Sequence, residues 1–230
     1  MQAVKDFYSK IQFPGHYTIE DLDFYTDDVV NDYLKIFDDN VKHATRVLDV
    51  GCGSGFIVNF LANRYPAIIF DAVDFSDSID FAQQFSSEHN IKNINYYKED
   101  FLLWDAKHKY DLVLSNGVLH HIPEYQSAVN KLTELATGTV VIGIYNSYGK
   151  LLKRMFNINY VNQTLYLDQE HCPFEVAFSD RQFKKLFNKY DVLTVYPSYY
   201  NRLVDFRNLF NSSNGGLTVY VFQKTVDNDS

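Results

Sequence analysis

From Arg46 onward, short apolar runs alternate with longer amphipathic ones. Arg46–Val50 is a Leu and β-branched run closed by Gly51, the pattern of a buried strand. Residues 54–64 place Phe56, Ile57, Phe60 and Leu61 on one helical face, and Pro66 stops the helix. Ile68–Asp74 reads as the next strand. Ser76 then caps a helix running to about Glu88, with Ile79, Ala82 and Phe85 along one side. Ile94–Lys98 and Tyr110–Ser115 read as strands three and four. Pro123 opens another helix, where a missing N–H costs nothing; Ala128, Val129, Leu132 and Leu135 form its buried stripe, and Gly138 ends it. Thr139–Tyr145 is the fifth strand. Regularity then weakens: residues 146–178 contain no clear long element. Ser179–Tyr190 reads as a helix carrying Phe183, Leu186 and Phe187, and Asp191–Tyr196 and Leu217–Lys224 as two last strands. Residues 1–40 are aromatic and acidic and in part helical, while 226–230 form a frayed tail.

Strand and helix in repeated alternation imply right-handed crossovers and a parallel sheet covered on both faces, an α/β fold. In such sheets ligands sit beyond the carboxyl ends of the strands, where the strand order reverses. With no internal repeat or low-complexity linker, residues 1–230 read as a single domain. Its parts are an N-terminal cap (1–40), a cofactor-binding core (41–145), a substrate-side insertion (146–178) and the C-terminal part of the sheet (179–225). A structureless stretch as long as the insertion is usually functional in a compact domain.

Composition adjusts this picture in three places. Aromatic residues make up 17% of the chain, 18 Tyr and 19 Phe, many outside the strands, which fits an aromatic-lined cavity or a plain compositional bias. The net charge of −8 disfavours a nucleic-acid substrate, because Lys150, Lys153, Arg154, Lys184 and Lys185 make only a thin basic patch. Cys52 and Cys172 make neither a disulfide framework nor a zinc pattern. With no apolar leader and no run of membrane-spanning length, a cytoplasmic protein is expected; a homodimer stays open.

The chemistry-bearing residues gather at strand ends. In Gly51-Cys52-Gly53-Ser54-Gly55 the spacing is G-x-G-x-G, between a strand and a helix. Glycines there let the backbone approach a ligand closely, and the helix behind offers free N–H groups. Asp74 ends the second strand, 23 residues after Gly51, near the spacing at which an acid meets ribose hydroxyls; a helix cap is its alternative role. Asp100 at the next strand end can accept from an adenine amino group, with Phe101 or Phe75 lying against the ring.

Val47–Gly55, Ala72–Ser76, Glu99–Phe101 and Asp111–Pro123, the last containing Val-Leu-His-His-Ile, together resemble the class I S-adenosylmethionine-dependent methyltransferases, in their small-molecule branch. The resemblance covers about residues 40–145. It implies a three-layer sandwich with a seven-stranded, mostly parallel sheet of order 3-2-1-4-5-7-6, strand 7 antiparallel. It also implies Asp49 and the Gly51 backbone near the methionine end of S-adenosylmethionine, with Cys52, Gly53 and Gly55 completing the turn. Asp74 would meet the ribose, Asp100 the adenine, and Asn116 and Gly117 the amino acid part and the sulfonium. S-adenosylhomocysteine would be the product.

Methyl transfer from a sulfonium is an in-line displacement that mostly needs alignment and exclusion of water. A base is required only if the acceptor must lose a proton, and His120 or His121 can supply one. Neighbours on a turn are not both expected to point inward, and the reading leans to His120, with Tyr145 beside it. No metal is expected: metal-dependent ubiquinone-type O-methyltransferases, which this chain resembles, place two glutamates and a His in this segment, and here Gly117 and His120 stand at the glutamate positions, leaving only His121. Tyr8, His16, Asn146, Tyr148 and His171 are the candidates for touching a small-molecule acceptor. A non-methyl outcome (cyclisation of the donor or aminocarboxypropyl transfer), a tRNA or protein substrate, and a non-catalytic cofactor-binding subunit remain open on these residues.

Overall fold

Seven strands make one sheet: β1 (Arg46–Val50), β2 (Ile69–Val73), β3 (Ile94–Tyr97), β4 (Tyr110–Asn116), β5 (Ala136–Tyr145), β6 (Tyr190–Tyr196) and β7 (Leu217–Lys224). They belong to a computed structural model that describes residues 15–24, 32–145, 174–176, 178–196 and 217–225, together with Val4, Phe7 and Tyr8. The strand order is β3-β2-β1-β4-β5-β7-β6. β7 runs antiparallel to both β5 and β6, and the other pairings are parallel. The order and the antiparallel strand are those expected from the sequence.

Helices flank the sheet among the described residues: α1 (Ile19–Phe24), α2 (Asp32–Val41), α3 (Phe56–Arg64), α4 (Ser78–Glu88), α5 (Tyr125–Leu135) and α6 (Asp180–Leu186), with a 3₁₀ turn at Leu119–His121. From β1 the chain winds outward through β2 to β3; β4 then returns to the other side of β1 and winding resumes in the opposite direction. With one crossover hand throughout, that reversal sends α3 and α4 to one face of the sheet and α5 and α6 to the other. Alternate residues of each central strand serve the two layers. Leu112 and Leu114 pack with Val58, Leu61, Ile79 and Phe85, whereas Val113, Val140 and Ile142 pack with Val129, Leu132 and Phe183. Both faces are dry, which is why these strands read as unbroken apolar runs.

Two element ends differ from the sequence reading. Ser76 does not cap α4; Asp77 holds that position without a side-chain cap, and the Ser76 N–H is donated to Asp74 instead. Gly138 does not terminate α5, which ends at Leu135, but lies inside β5. The β4–β5 register advances from Tyr110↔Ala136 to Leu112↔Thr139, leaving one extra residue on β5. A Cβ at Gly138 would sit 2.7 Å from the carbonyl oxygen of Asp111. The glycine is there for close backbone approach at the bulge.

Part of the aromatic enrichment goes into the core. Phe178, Phe183, Phe187, Tyr190, Tyr220 and Phe222 are buried together under α6, with Phe187 and Phe222 stacked 4.2 Å apart at 13°. On the opposite face a buried polar network ties the N-terminal region to the sheet. Asn59, fully buried on α3, donates to the Tyr17 hydroxyl at 2.8 Å and accepts from the Tyr96 hydroxyl at 3.0 Å. Tyr17 in turn donates to the carbonyl of Ser54 in the glycine turn at 3.0 Å. Among the described residues no helix is long and apolar enough to cross a membrane.

Gly138→Ala should therefore lower the free energy of unfolding by roughly 1–3 kcal/mol, because its Cβ meets backbone. Urea denaturation measures this, and an unchanged midpoint would restore a mere helix-stop role.

Candidate functional site

The reversal of strand order opens a crevice at the carboxyl ends of β1 and β4, and the chain's polar side chains converge there. Its floor is the turn after β1. Gly51, Gly53 and Gly55 adopt φ of +75°, +56° and +81°, the left-handed region that glycine enters without strain. Their reasons differ. A Cβ on Gly51 would fall 2.3 Å from the Val118 side chain, so this glycine lets the turn after β4 close over β1. A Cβ on Gly55 would fall 2.5 Å from Ala82, so this one lets α3 pack against α4. Gly51 and Gly53 line the cleft; Gly55 and Cys52 do not. The Cys52 side chain is buried in the layer under α3, where burial pushes its thiol well above the usual value.

Asp74 joins the two loops. One carboxylate oxygen accepts from the Gly53 N–H at 2.9 Å, the other from the Ser76 N–H at 2.7 Å. Burial raises its pKa, and hydrogen bonds from the Ser76 side chain and from the Ser76 and Gly53 backbones pull it back down. Asp74 lines the cleft beside Gly51 and Gly53. Asp49, buried at the end of β1, is not itself on the cleft wall. Burial first, and the nearby Asp74 charge second, push its carboxyl up to about 7.

The far wall is the Asp100–Trp104 turn. Asp100 accepts the Leu102 N–H on its carboxylate at 2.9 Å, while Phe75, Glu99, Asp100 and Phe101 face the cleft. The opposite wall comes from the loop after β4. Gly117, at φ +77° with open space where a Cβ would be, Val118, His121 and Ile122 line it. Asn116 lies outside the lining, its Oδ1 turned towards Gly143, where a Cβ would fall 2.1 Å away.

His120 and His121 part company here. His121 is on the cleft wall; its Nδ1 lies 3.1 Å from the Phe174 carbonyl oxygen. A carbonyl can only accept, so Nδ1 carries the proton and Nε2 is the basic nitrogen. His120, fully buried, lies behind, its ring 4.2 Å from that of His121 and 4.1 Å from Tyr145. Only one of the two histidines reaches the cleft, as expected, but it is His121 and not the His120 to which the sequence leans; both rings are buried. Val176 and Phe178 cover the turn, Val176 N–H donating to the His120 carbonyl (2.9 Å) and Phe178 N–H to the Tyr145 carbonyl (3.1 Å).

Above the cleft stand Val4 and Tyr8. Tyr8 is edge-on to His121 at 5.5 Å and to Phe75 at 6.5 Å. The Val4–Tyr8 spacing of four was a legible helical signal that the sequence reading used only in part. His16 is exposed, packs on Phe81 of α4 at 4.6 Å, and does not line the cleft. Tyr145 is off the cleft wall and adjoins it through the rings of His120 at 4.1 Å and, edge-on, His121 at 6.0 Å. Asn146, Tyr148 and His171 lie outside the described residues. Sequence reasoning missed Val118, Ser78 and Ile122 in the lining.

Known proteins match this frame. A family model described as "Methyltransferase domain" matches residues 41–194. Malonyl-[acyl-carrier protein] O-methyltransferase of Acetivibrio thermocellus is 25% identical over 161 residues, covering 69% of this chain and 56% of that one. Trans-aconitate 2-methyltransferase of Mycobacterium tuberculosis is 34% identical over 100 residues, 43% of this chain and 36% of that one. The chain thus spans about a third to just over half the length of the curated relatives it matches. Magnesium protoporphyrin IX methyltransferase from Synechocystis PCC 6803, crystallised with S-adenosylhomocysteine, superimposes with a TM-score of 0.65 at 16% identity, covering 97% of this chain and 99% of that one. The N-methyltransferase NodS from Bradyrhizobium japonicum gives 0.59 at 13% identity, covering 90% and 98%. These two likenesses are likenesses of fold.

Asp49 generates a pH prediction. A carboxyl whose folded pKa is raised adds stability that is complete below its unfolded value of 3.8 and lost as pH rises through about 7. Relative to the native chain, Asp49→Asn should gain stability across that window, at roughly 1.4 kcal/mol per pH unit at most. Denaturation midpoints of both proteins from pH 4 to 8 measure it; parallel curves would mean that Asp49 titrates normally.

Proposed function

The chain belongs to the methyltransferase-domain family, and we propose that it transfers the methyl group of S-adenosylmethionine to a small-molecule acceptor, in line and without a metal. S-adenosylmethionine is the methyl donor of this family. The observation that carries the reading is the Asp74 carboxylate, held by two loop N–H groups and the Ser76 side chain in the lining of a cleft floored by glycines.

The residues fit that donor. Asp74 would hold the ribose hydroxyls; Asp100, Phe101 and Phe75 would meet the adenine. The open position at Gly117 and the Gly51 backbone would admit the amino acid end, with Asp49 buried beneath to balance its ammonium. Bound there, the donor supplies an electrophilic methyl group on sulfonium sulfur. The chain's own task is alignment and dryness. Tyr8, braced edge-on by Phe75 and His121, roofs the cleft and excludes water. His121, on the cleft wall and oriented by the Phe174 carbonyl, would take a proton from an acceptor hydroxyl or amine. An acceptor already ionised at neutral pH would not use it. Relatives named as O-methyltransferases make oxygen the first acceptor atom to test.

Incubation with methyl-labelled S-adenosylmethionine and a panel of small hydroxyl and carboxyl compounds tests the activity. Label should pass to a small molecule; transfer only to protein or tRNA, or release of methylthioadenosine without methylation, would overturn the reading. Asp74→Ala should weaken S-adenosylhomocysteine binding in calorimetry by roughly 1.5–3 kcal/mol; unchanged affinity would contradict the ribose role. On a hydroxyl acceptor, His121→Ala should lower kcat about a hundredfold or more while leaving S-adenosylhomocysteine affinity within twofold. If His120→Ala alone produces that loss, the base role moves there.

A further inference from the structure

Lys131 stands on α5, in the layer beneath the sheet and off the cleft wall, yet its ammonium is spent on the wall. Its Nζ donates to the carbonyl of Leu102 at 3.2 Å and to the carbonyl of Trp104, and lies 5.2 Å from the centroid of the Phe101 ring. Those contacts close a single helical turn whose start is made by Asp100. The carboxylate of Asp100 takes the Leu102 N–H at 2.9 Å, and its carbonyl takes the N–H groups of Leu103 and Trp104 at 2.9 and 2.8 Å. A turn of this length nucleates poorly alone, and its last carbonyls have no partner within it. Trp104, buried and 4.9 Å from Tyr97, and the exposed Leu103 show how the turn divides between core and solvent.

We propose that Lys131 is a positioning residue for the adenine end of the donor: by clamping the Leu102 and Trp104 carbonyls it fixes the Asp100–Trp104 turn, and so the Asp100 carboxylate and Phe101 ring that meet the base. This rests on the reading of the cleft as an S-adenosylmethionine site. Lys131 touches no donor atom in this account. It acts through Asp100, whose carboxylate accepts from an exocyclic amino group and has nothing to donate to an oxo group, and through Phe101, whose ring the cation holds in place. A lysine reaches both carbonyls because its ammonium carries three donors on a flexible stem.

The experiment compares S-adenosylhomocysteine with S-inosylhomocysteine, its analogue with an oxo group in place of the adenine amino group, by calorimetry on the native chain, Lys131→Met and Lys131→Arg. The native chain should prefer the amino form. In Lys131→Met, affinity for that form should fall roughly tenfold, the scale of a lost charged hydrogen bond, while the inosyl form loses less and the preference shrinks. Lys131→Arg should restore much of it. The ligand-free emission of Trp104, the chain's single tryptophan, should move to longer wavelength in Lys131→Met and return in Lys131→Arg. A merely structural lysine would weaken both ligands equally, and an unchanged preference in Lys131→Met would overturn the proposal alone. If the native chain binds neither ligand, the reading of the cleft fails, and this proposal with it.

Discussion

The carboxylate of Asp74 bridges two loops that belong to different strands, and the geometry of the cleft follows from that bridge. Gly53 N–H on one side and Ser76 N–H on the other converge on it at 2.9 and 2.7 Å. Two charge-assisted hydrogen bonds hold the β1 turn against the start of α4, and they do so only because glycine at 53 admits the left-handed backbone. The same carboxylate adds its charge to the burial of Asp49, and the end of β1 therefore carries an acid poised near neutrality. On the proposed reading, structural tie and ribose acceptor are one side chain.

Around that bridge the fold places every other wall by topology. Reversal of winding at β1/β4 separates the helices onto two faces and leaves the strand ends between them uncovered. The walls are then fastened from outside the cleft. Tyr17 and Asn59 fasten the glycine turn to α3, Lys131 fastens the Asp100 turn to α5, and Val176 and Phe178 fasten the histidine turn and the end of β5. Each fastening satisfies a backbone carbonyl or N–H that a loop would otherwise leave unpaired in a half-buried place.

The sheet was legible because its central strands are dry on both faces and its helices amphipathic, signals that live within ten residues of chain. Leu217–Lys224 was recovered residue for residue, as was Arg46–Val50. Gly51, Gly53, Asp74, Asp100, Phe101 and Gly117 were legible as site residues because the motif places them at strand ends, and strand ends are where the cleft is. What escaped depends on contacts between distant segments. Gly138 looks like a helix stop until the β4 backbone is known to pass 2.7 Å from where its Cβ would be. Gly55 and Cys52 belong to the motif yet serve packing. The choice between His120 and His121 turns on the Phe174 carbonyl, 53 residues further along the chain. Asn59 reads as a polar interruption on an apolar helix face, and only the two tyrosine hydroxyls explain it.

The central claim is that the crevice held open by Asp74 is the donor site. A crystal structure grown with S-adenosylhomocysteine measures it most directly. The account predicts both ribose hydroxyls within hydrogen-bond distance of the Asp74 carboxylate, and the adenine between Phe75 and Phe101 with its amino group towards Asp100. Its sulfur should face the wall formed by Gly117 and His121. Ligand density elsewhere in the molecule, or a ribose turned away from Asp74, would contradict it.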